Sequence, residues 1–406
     1  MKISKLKFKR STIILIILLL ISNAASMSCR SQKNTMVKIG VLYPMTGDLA
    51  DKGIDSIRAL QMAADEINES GGIRSMDGAL IELVYADTKG NPETGSAETE
   101  RLIIHEKVTA IIGTYQSSVT KAATQIAERH ETPFIVSISL ADIITERGFR
   151  YTFRVQPKAE YYCRDQVQFL SDYSKVTRRK IKRVALLHEN TDFGTSTSLA
   201  QKKALTARGY EISSDVSYVA EGVKDLGHAV RKVLASNPDA ILTVTYFNDS
   251  ILIFRELSAR SITLPVIDTA GGTVSSDFIS TMGRDAENIF TSAEYSKFTN
   301  TGRDINRKFR MRYGIDITGD SAYAYQSMFV IKDALERSGS SDRQRLREYI
   351  AATDMNQGEK MILPAERIRF NHEGQNEFAR LYIVQIQNGE YIPVWPAEYA
   401  AGRIKY

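Results

Sequence analysis

Apolar and polar positions follow two rhythms along most of the chain. Val37–Tyr43, Leu80–Tyr85, Ala110–Gly113 and Phe134–Val136 are short apolar runs bounded by polar or Gly-bearing segments, the pattern of buried strands. Between them Ile57, Leu60, Ala64 and Ile67 recur at helical spacing, and Asn91–Glu106 and Ser118–Arg129 read as further helices. The alternation resumes with strands at Arg183–His188, Ala240–Val244 and Pro265–Asp268 and helices near Thr195–Ala207, Leu226–Ala235 and Asp249–Ala259. Strand and helix in turn predict an α/β protein whose mainly parallel sheets are covered by helices on both faces. No long Pro/Gly/Ser-rich linker divides the two sets, so the pattern permits one large doubly wound sheet or two lobes in close contact.

The N-terminus breaks this rhythm. Lys2, Lys5, Lys7, Lys9 and Arg10 precede an unbroken apolar run from Ile13 to Ile21, too short to span a bilayer and typical of an export signal. Small residues then lead to Cys29, where lipoproteins are cleaved and acylated, although Ser26 stands where that pattern has leucine. The expectation is a signal peptide over 1–28, lipid on Cys29 and a polar tether over 29–36, giving an exported protein anchored to a membrane. Cys163 is the other of two cysteines, so with Cys29 acylated no internal disulfide can form and stability must come from packing. The formal charge of +5 also changes meaning: residues 1–28 hold five of the 53 Lys/Arg and none of the 48 acids, leaving a neutral remainder. A neutral protein lacks the basic face that nucleic acids require, and the basic stretch Lys175–Arg183 reads as a solvated helix end.

Candidate chemistry lies beyond the carboxyl ends of the strands, where open α/β sheets bind ligands. The strongest segment is Thr114-Tyr115-Gln116-Ser117-Ser118-Val119-Thr120, which follows a strand and opens a helix. Unpaired backbone N–H groups and the hydroxyls of Ser117 and Ser118 suit a carboxylate there, the plainer alternative being that one serine caps the helix. Tyr43–Asp48, Ser137–Asp142 and the loops after His188, Val244 and Asp268 complete the set. No G-x-S-x-G, phosphate-binding glycine loop or H-E-x-x-H occurs and the five histidines are scattered, which argues against an enzyme, a metal or a cofactor.

Several landmarks recur in order: Lys38–Gly47, Gly71-Gly72-Ile73, Val108–Gly113, Thr132-Pro133-Phe134-Ile135, Thr145–Phe149, Phe153-Arg154, Asp192-Phe193-Gly194, Ser321–Tyr325 and Ile368–Gly374. Together they resemble the leucine/isoleucine/valine-binding protein family, the type I periplasmic solute-binding proteins of ABC transporters, over nearly the whole chain after the signal. The resemblance implies two lobes joined by three crossovers, lobe 1 over 37–157 plus 295–379 and lobe 2 over 158–294 plus 380–406. It implies a small polar ligand (amino acid, carboxylate or amide) in the cleft, capture by hinge closure, no enzymatic activity, a monomer, and a membrane permease as partner. By position, Ser117 matches a serine that holds the ligand carboxylate. Ile138 matches a backbone carbonyl for the ligand ammonium, and Tyr246 an aromatic that closes the cleft. Leu140 stands where a threonine is expected, with Ser139 beside it, and Ala270 where relatives carry a glutamate facing the ammonium. A buried cation needs a partner, so Asp268, Asp249, Glu189, Asp192 and Asp320 become candidates to replace that glutamate. Lys52 takes the place of an aromatic at the cleft mouth, and Arg154 reads as a structural residue bonding loop carbonyls or carboxylates near the hinge. Two other readings share this pattern: a ligand sensor for a membrane receptor, and a cell-envelope scaffold whose pocket has decayed.

Overall fold

A computed structural model describes residues 36–356, 361–364 and 367–405. The chain begins there with β1 (Met36–Tyr43), α1 (Ala50–Glu69), β2 (Leu80–Asp87), α2 (Pro92–Ile104), β3 (Ala110–Gly113), α3 (Ser117–Arg129), β4 (Phe134–Val136) and β5 (Thr152–Arg154). The five strands form one parallel sheet in the order β2-β1-β3-β4-β5. Met36 already pairs with Leu80, so the tether expected over 29–36 gives way to strand at its last residue. Signal peptide and Cys29 lie outside the described residues.

After α4 (Ala159–Thr177) a second alternation follows: β6 (Arg183–Glu189), α5 (Asp192–Ala207), β7 (Glu211–Tyr218), α6 (Gly227–Ala235), β8 (Ala240–Val244), α7 (Phe247–Ala259), β9 (Val266–Asp268), α8 (Ser276–Met282) and β10 (Phe290–Ala293). The chain then returns to the first sheet with α9 (Asn300–Tyr313), α10 (Gly319–Ser338), α11 (Arg343–Ala351) and the small ladder β11 (Asp354–Asn356) with β12 (Arg367–Arg369). It closes on the second sheet with β13 (Tyr382–Gln387) and β14 (Glu390–Trp395), antiparallel at its edge in the order β14-β13-β10-β9-β8-β6-β7. The expected two-lobed α/β fold is therefore present, and the chain passes between the sheets after β5, after β10 and before β13.

Each sheet is buried on both faces, which is why its strands read as continuous apolar runs rather than alternating ones. On the first sheet, Val37, Ile39 and Val41 pack with α1 and α10, while Leu42, Ile111 and Phe134 pack with α2 and α3. On the second, Leu186 and Leu242 face α4 and α5, and Leu187 and Ile241 face α6 and α7. Close approach is enforced at Gly53, where a Cβ would stand 1.7 Å from the carbonyl oxygen of Pro44, so α1 lies hard against the loop after β1.

Two strands the pattern did not announce are instructive. β7 carries Glu211, Ser213, Ser214 and Asp215 on a half-exposed edge, so no apolar run marks it. β5 is buried but only three residues long. The landmark segment Ile368–Gly374 enters β12 and a tight turn, with Phe370 bridging Asn376; the final hairpin is β13–β14.

Candidate ligand site between the two sheets

The loops at the carboxyl ends of both sheets converge on a small cavity of about 30 Å³ lined by Tyr115, Ser117, Ile138, Ser139, Leu140, Gln156, Phe193, Tyr246, Ala270, Gly271 and Asp320. Seven of the nine positions anticipated from the sequence are among these. Ser118 is half-buried and faces elsewhere, and Asp268 sits behind the wall, held by the hydroxyls of Thr243 (2.6 Å), Thr245 (3.1 Å) and Thr273 (2.7 Å). Burial pushes the Asp268 carboxyl up to about 7 despite these donors.

The first-sheet wall is a hydrogen-bonded frame. Gln116 is the N-cap of α3 and uses no side-chain cap, so Ser117 opens the helix, and its Oγ accepts a long bond from the Ala141 N–H (3.3 Å). Ser139 is held at φ 139°, its N–H donating to Gln156 Oε1 (2.7 Å) and its hydroxyl to the Tyr115 carbonyl (3.0 Å). Arg154, fully buried, fixes this loop: its guanidinium donates to the carbonyls of Ser139 (3.0 Å), Leu140 (3.1 Å) and Ala141 (2.8 Å) and to Thr145 Oγ1 (2.9 Å). That is the structural role its sequence position implied. Arg154 thus takes three successive carbonyls of this loop. Burial lowers its pKa to about 10, so the guanidinium keeps its charge at neutral pH.

The second-sheet wall is aromatic. Tyr246 lies at the N-terminus of α7, its N–H donating to Asp249 Oδ2 (3.2 Å), and its ring stands 5.4 Å from that of Phe193 and 6.4 Å from that of Tyr115. Ala270 and Gly271 both adopt positive φ, 50° and 60°, and a Cβ on Gly271 would come within 2.3 Å of the Thr245 carbonyl oxygen. The turn is thereby pressed onto the sheet where a longer acidic side chain could otherwise project.

Of the five acids that could replace the missing glutamate, Asp320 is the one that lines the cavity. Asp249 accepts from Tyr218 (2.5 Å), Glu189 from Thr191 (2.5 Å) and from the Gly194 N–H, and Asp192 pairs with Lys121 (3.1 Å). Burial pushes Asp320 up to about 6, opposed by the charge of Lys52. Lys52 itself reaches over the Phe247 ring at 5.7 Å, bridging the cleft mouth from α1 to α7. Among the described residues, no lysine or arginine lines the cavity. Sequence reasoning did not assign Gln156, Phe193 or Gly271 to the site; Gln156 follows Arg154 at the first crossover, and Phe193 belongs to the Asp192-Phe193-Gly194 landmark.

Two helix-flanked sheets, three crossovers and a cavity fed by both sets of strand ends define a solute-binding protein of the two-lobed type. The family model described as periplasmic binding protein matches residues 36–390, and the chain belongs to that family. Curated relatives include Leu/Ile/Val-binding protein homolog 7 of Brucella suis, 27% identical over 401 residues covering 96% of this chain and 98% of that one. Homolog 8 of Brucella abortus is 27% identical over 381 residues, covering 91% and 93%. Among solved structures, the leucine-binding protein LivK of Thermotoga maritima superposes with a TM-score of 0.77 at 24% identity, covering 87% of this chain and 97% of the other. LivJ of Streptococcus pneumoniae, in complex with isoleucine, gives 0.76 at 24%, covering 88% and 98%. A solute-binding protein of R. palustris in complex with benzoate gives 0.77 at 19%, covering 88% and 95%. These findings bear out the resemblance to the leucine/isoleucine/valine-binding proteins, a family of exported, non-enzymatic solute-binding proteins that serve ABC transporters.

Proposed function

We propose that this protein captures a small zwitterion of the amino-acid type between its two lobes and delivers it to a membrane permease. One observation carries the reading: a buried carboxylate, Asp320, faces a cavity whose lining holds no basic side chain. Such a site favours an ammonium group, and its neutral donors at the start of α3, the Ser117 hydroxyl and backbone N–H groups, suit the carboxylate of the same ligand. Asp320 would thus take over, from the first-sheet side, the task that the resemblance assigns to a glutamate where this chain has Ala270. This favours capture over the scaffold reading, which rested on Ala270 and Leu140. A cavity of about 30 Å³ is the size of one water, so an amino acid enters only when the walls separate, which supports opening and closing about the crossovers.

The lobes in this reading comprise 37–157 plus 295–379 and 158–294 plus 380–406, preceded by a signal over 1–28 and a lipid on Cys29. The protein acts as a monomer without a cofactor. Cys29→Ser is expected to abolish incorporation of labelled fatty acid.

Calorimetric titration tests the ligand class. Leucine and isoleucine are expected to bind, 4-methylpentanoate and benzoate to bind weakly or not at all, and Asp320→Asn to weaken amino-acid binding about 100-fold, the worth of a charge-assisted hydrogen bond in a buried site. Equal affinity for the deaminated acids, with no effect of Asp320→Asn, would remove the ammonium from the site.

A further inference from the structure

The two walls of the cleft are also joined outside the cavity. Lys121 lies one turn into α3, and its ammonium reaches Asp192, the first residue of α5, donating to Oδ1 at 3.1 Å and to Oδ2 at 3.2 Å. Close by, the Asp142 N–H donates to Ser196 Oγ (3.1 Å), one turn further along α5. Each of these contacts has one partner on the first-sheet side and one on the second. Ion pairs such as Lys202–Asp215 (2.7 Å) and Lys175–Asp172 (2.9 Å), by contrast, stay within the second.

Helical spacing ties the pair to the site. Lys121 follows Ser117 by four residues and so shares a face of α3 with the serine that lines the cavity. Asp192 directly precedes Phe193, which lines the cavity from the opposite wall. Joining Lys121 to Asp192 therefore holds Phe193 against the first wall from just outside the cavity. Arg147 braces the turn that carries the lysine: its guanidinium donates to the Lys121 carbonyl (2.8 Å) and to Thr124 Oγ1, and stands 4.1 Å from the centre of the Phe149 ring. Burial lowers Arg147 to about 10, opposed by the charges of Glu128 and Asp192, so a second cation of the first-sheet side acts on Asp192. Asp192 also opens a helix of 16 residues, where a negative charge is favoured.

An ion pair between two halves holds only while they are together, and both partners here are partly exposed, ready to be hydrated when the halves part. We propose that Lys121 and Asp192 are positioning residues that form a closing latch, holding Phe193 over the first wall and slowing the departure of a captured ligand. The effect on ligand rests on the amino-acid reading above, whereas the contact itself does not.

Two measurements on the full-length protein test the latch. Hydrogen exchange of the segment carrying the Asp142 N–H reports parting of the halves without ligand, since that amide is bonded across the seam. Release of labelled leucine into an excess of unlabelled leucine reports it with ligand. Lys121→Met and Asp192→Asn are each expected to speed both by about two- to fivefold, the range for a solvent-exposed ion pair, while the amides of β8 keep their rates. The association rate is expected to change by less than about twofold. One pair is lost either way, so the double variant should match the singles rather than multiply them. Raising salt from about 0.05 to about 0.5 M should speed the wild type and erase its difference from the variants. Lys202→Met, which breaks an ion pair within the second half, is expected to leave both rates unchanged. The proposal is overturned if Lys121→Met and Asp192→Asn change neither rate, if their effects multiply, or if Lys202→Met acts as strongly, which would reduce the effect to surface charge. A wild type that takes up no leucine would remove the amino-acid reading, and exchange alone would then decide the latch.

Discussion

The two walls of the cleft are built from different chemistry. Ser117, Ser139, Gln156 and Asp320 come from elements packed on the first sheet, and the loop that carries Ser139 is fixed by Arg154. Phe193, Tyr246, Ala270 and Gly271 come from the second sheet and offer ring faces and bare backbone. In the proposed capture, the first wall would orient a charged ligand before closure, because the Ser139 loop is already held by other protein groups and costs little to reorganise. The second supplies area and excludes water once it arrives. In the proposed mode of capture, this division would place polar contact first and aromatic cover second.

The sharpest way to break the comparison is to remove the frame. Arg154→Leu leaves the carbonyls of residues 139–141 buried without donors, and a loss of about 3–5 kcal/mol in unfolding free energy is expected in urea titrations. A loss below about 1 kcal/mol would mean that the loop is held by other contacts. Next come the walls themselves. Tyr246→Ala is expected to cost about 2–3 kcal/mol of amino-acid affinity by removing the aromatic cover, and Ser117→Ala about 1 kcal/mol by removing one hydroxyl. Stopped-flow measurements sharpen the distinction: Tyr246→Ala should act mainly on the dissociation rate, as expected of a group that engages after encounter.

The smallest effect is the dependence on pH. Burial pushes Asp268 up to about 7 and holds Glu294 and Asp320 above the ordinary carboxyl range, the charge of Asp320 adding to the rise of Glu294. The folded state therefore binds more protons than the unfolded one above that range, so stability falls as pH rises through the raised values and grows on acidification. Asp215, Asp172 and Asp316, held low by partners such as Lys202, Lys175 and Lys297, lose their contribution only near and below the ordinary carboxyl value of about 4. The melting temperature of the ligand-free protein is expected to peak near about pH 5, while affinity for an amino acid declines below about pH 6 as Asp320 takes up its proton. A melting temperature that rises steadily from pH 5 to 8 would show that these buried acids are ionised without penalty.

The same division explains what could be read from the sequence. Ala110–Gly113, Phe134–Val136 and Ala240–Val244 were legible to the residue, because burial on both faces leaves an unbroken apolar signature. Tyr115, Ser117, Ile138 and Leu140 follow directly from a strand end, and so were legible too. Asp320 could be named only as one acid among five. Which of them faces the cavity depends on how α10 returns from the second lobe to the first sheet, a contact between segments distant in sequence. Phe193 and Gln156 were hidden for the same reason: nothing local distinguishes a core aromatic or a buried amide from one at a cleft. Edge strand β7, polar and half-exposed, gave no periodic signal at all.

Arg154 has one further consequence. Its own N–H donates to the Gly374 carbonyl (2.8 Å), its carbonyl accepts from the Asn376 N–H (2.9 Å), and its Nε donates to Gln375 Oε1 (2.6 Å). Gln375 and Asn376 in turn bond the carbonyls of Gln156 (2.8 Å) and Val155 (3.1 Å). The first and third crossovers are thus laced into one ribbon, and Gln156 ties that ribbon to Glu294 on the second. Three separate straps would let the halves slide, twist and tilt, whereas a laced ribbon bends most easily about a single line. Under the proposed opening, the molecule would work like a book with a sewn spine, its pages parting rather than shearing.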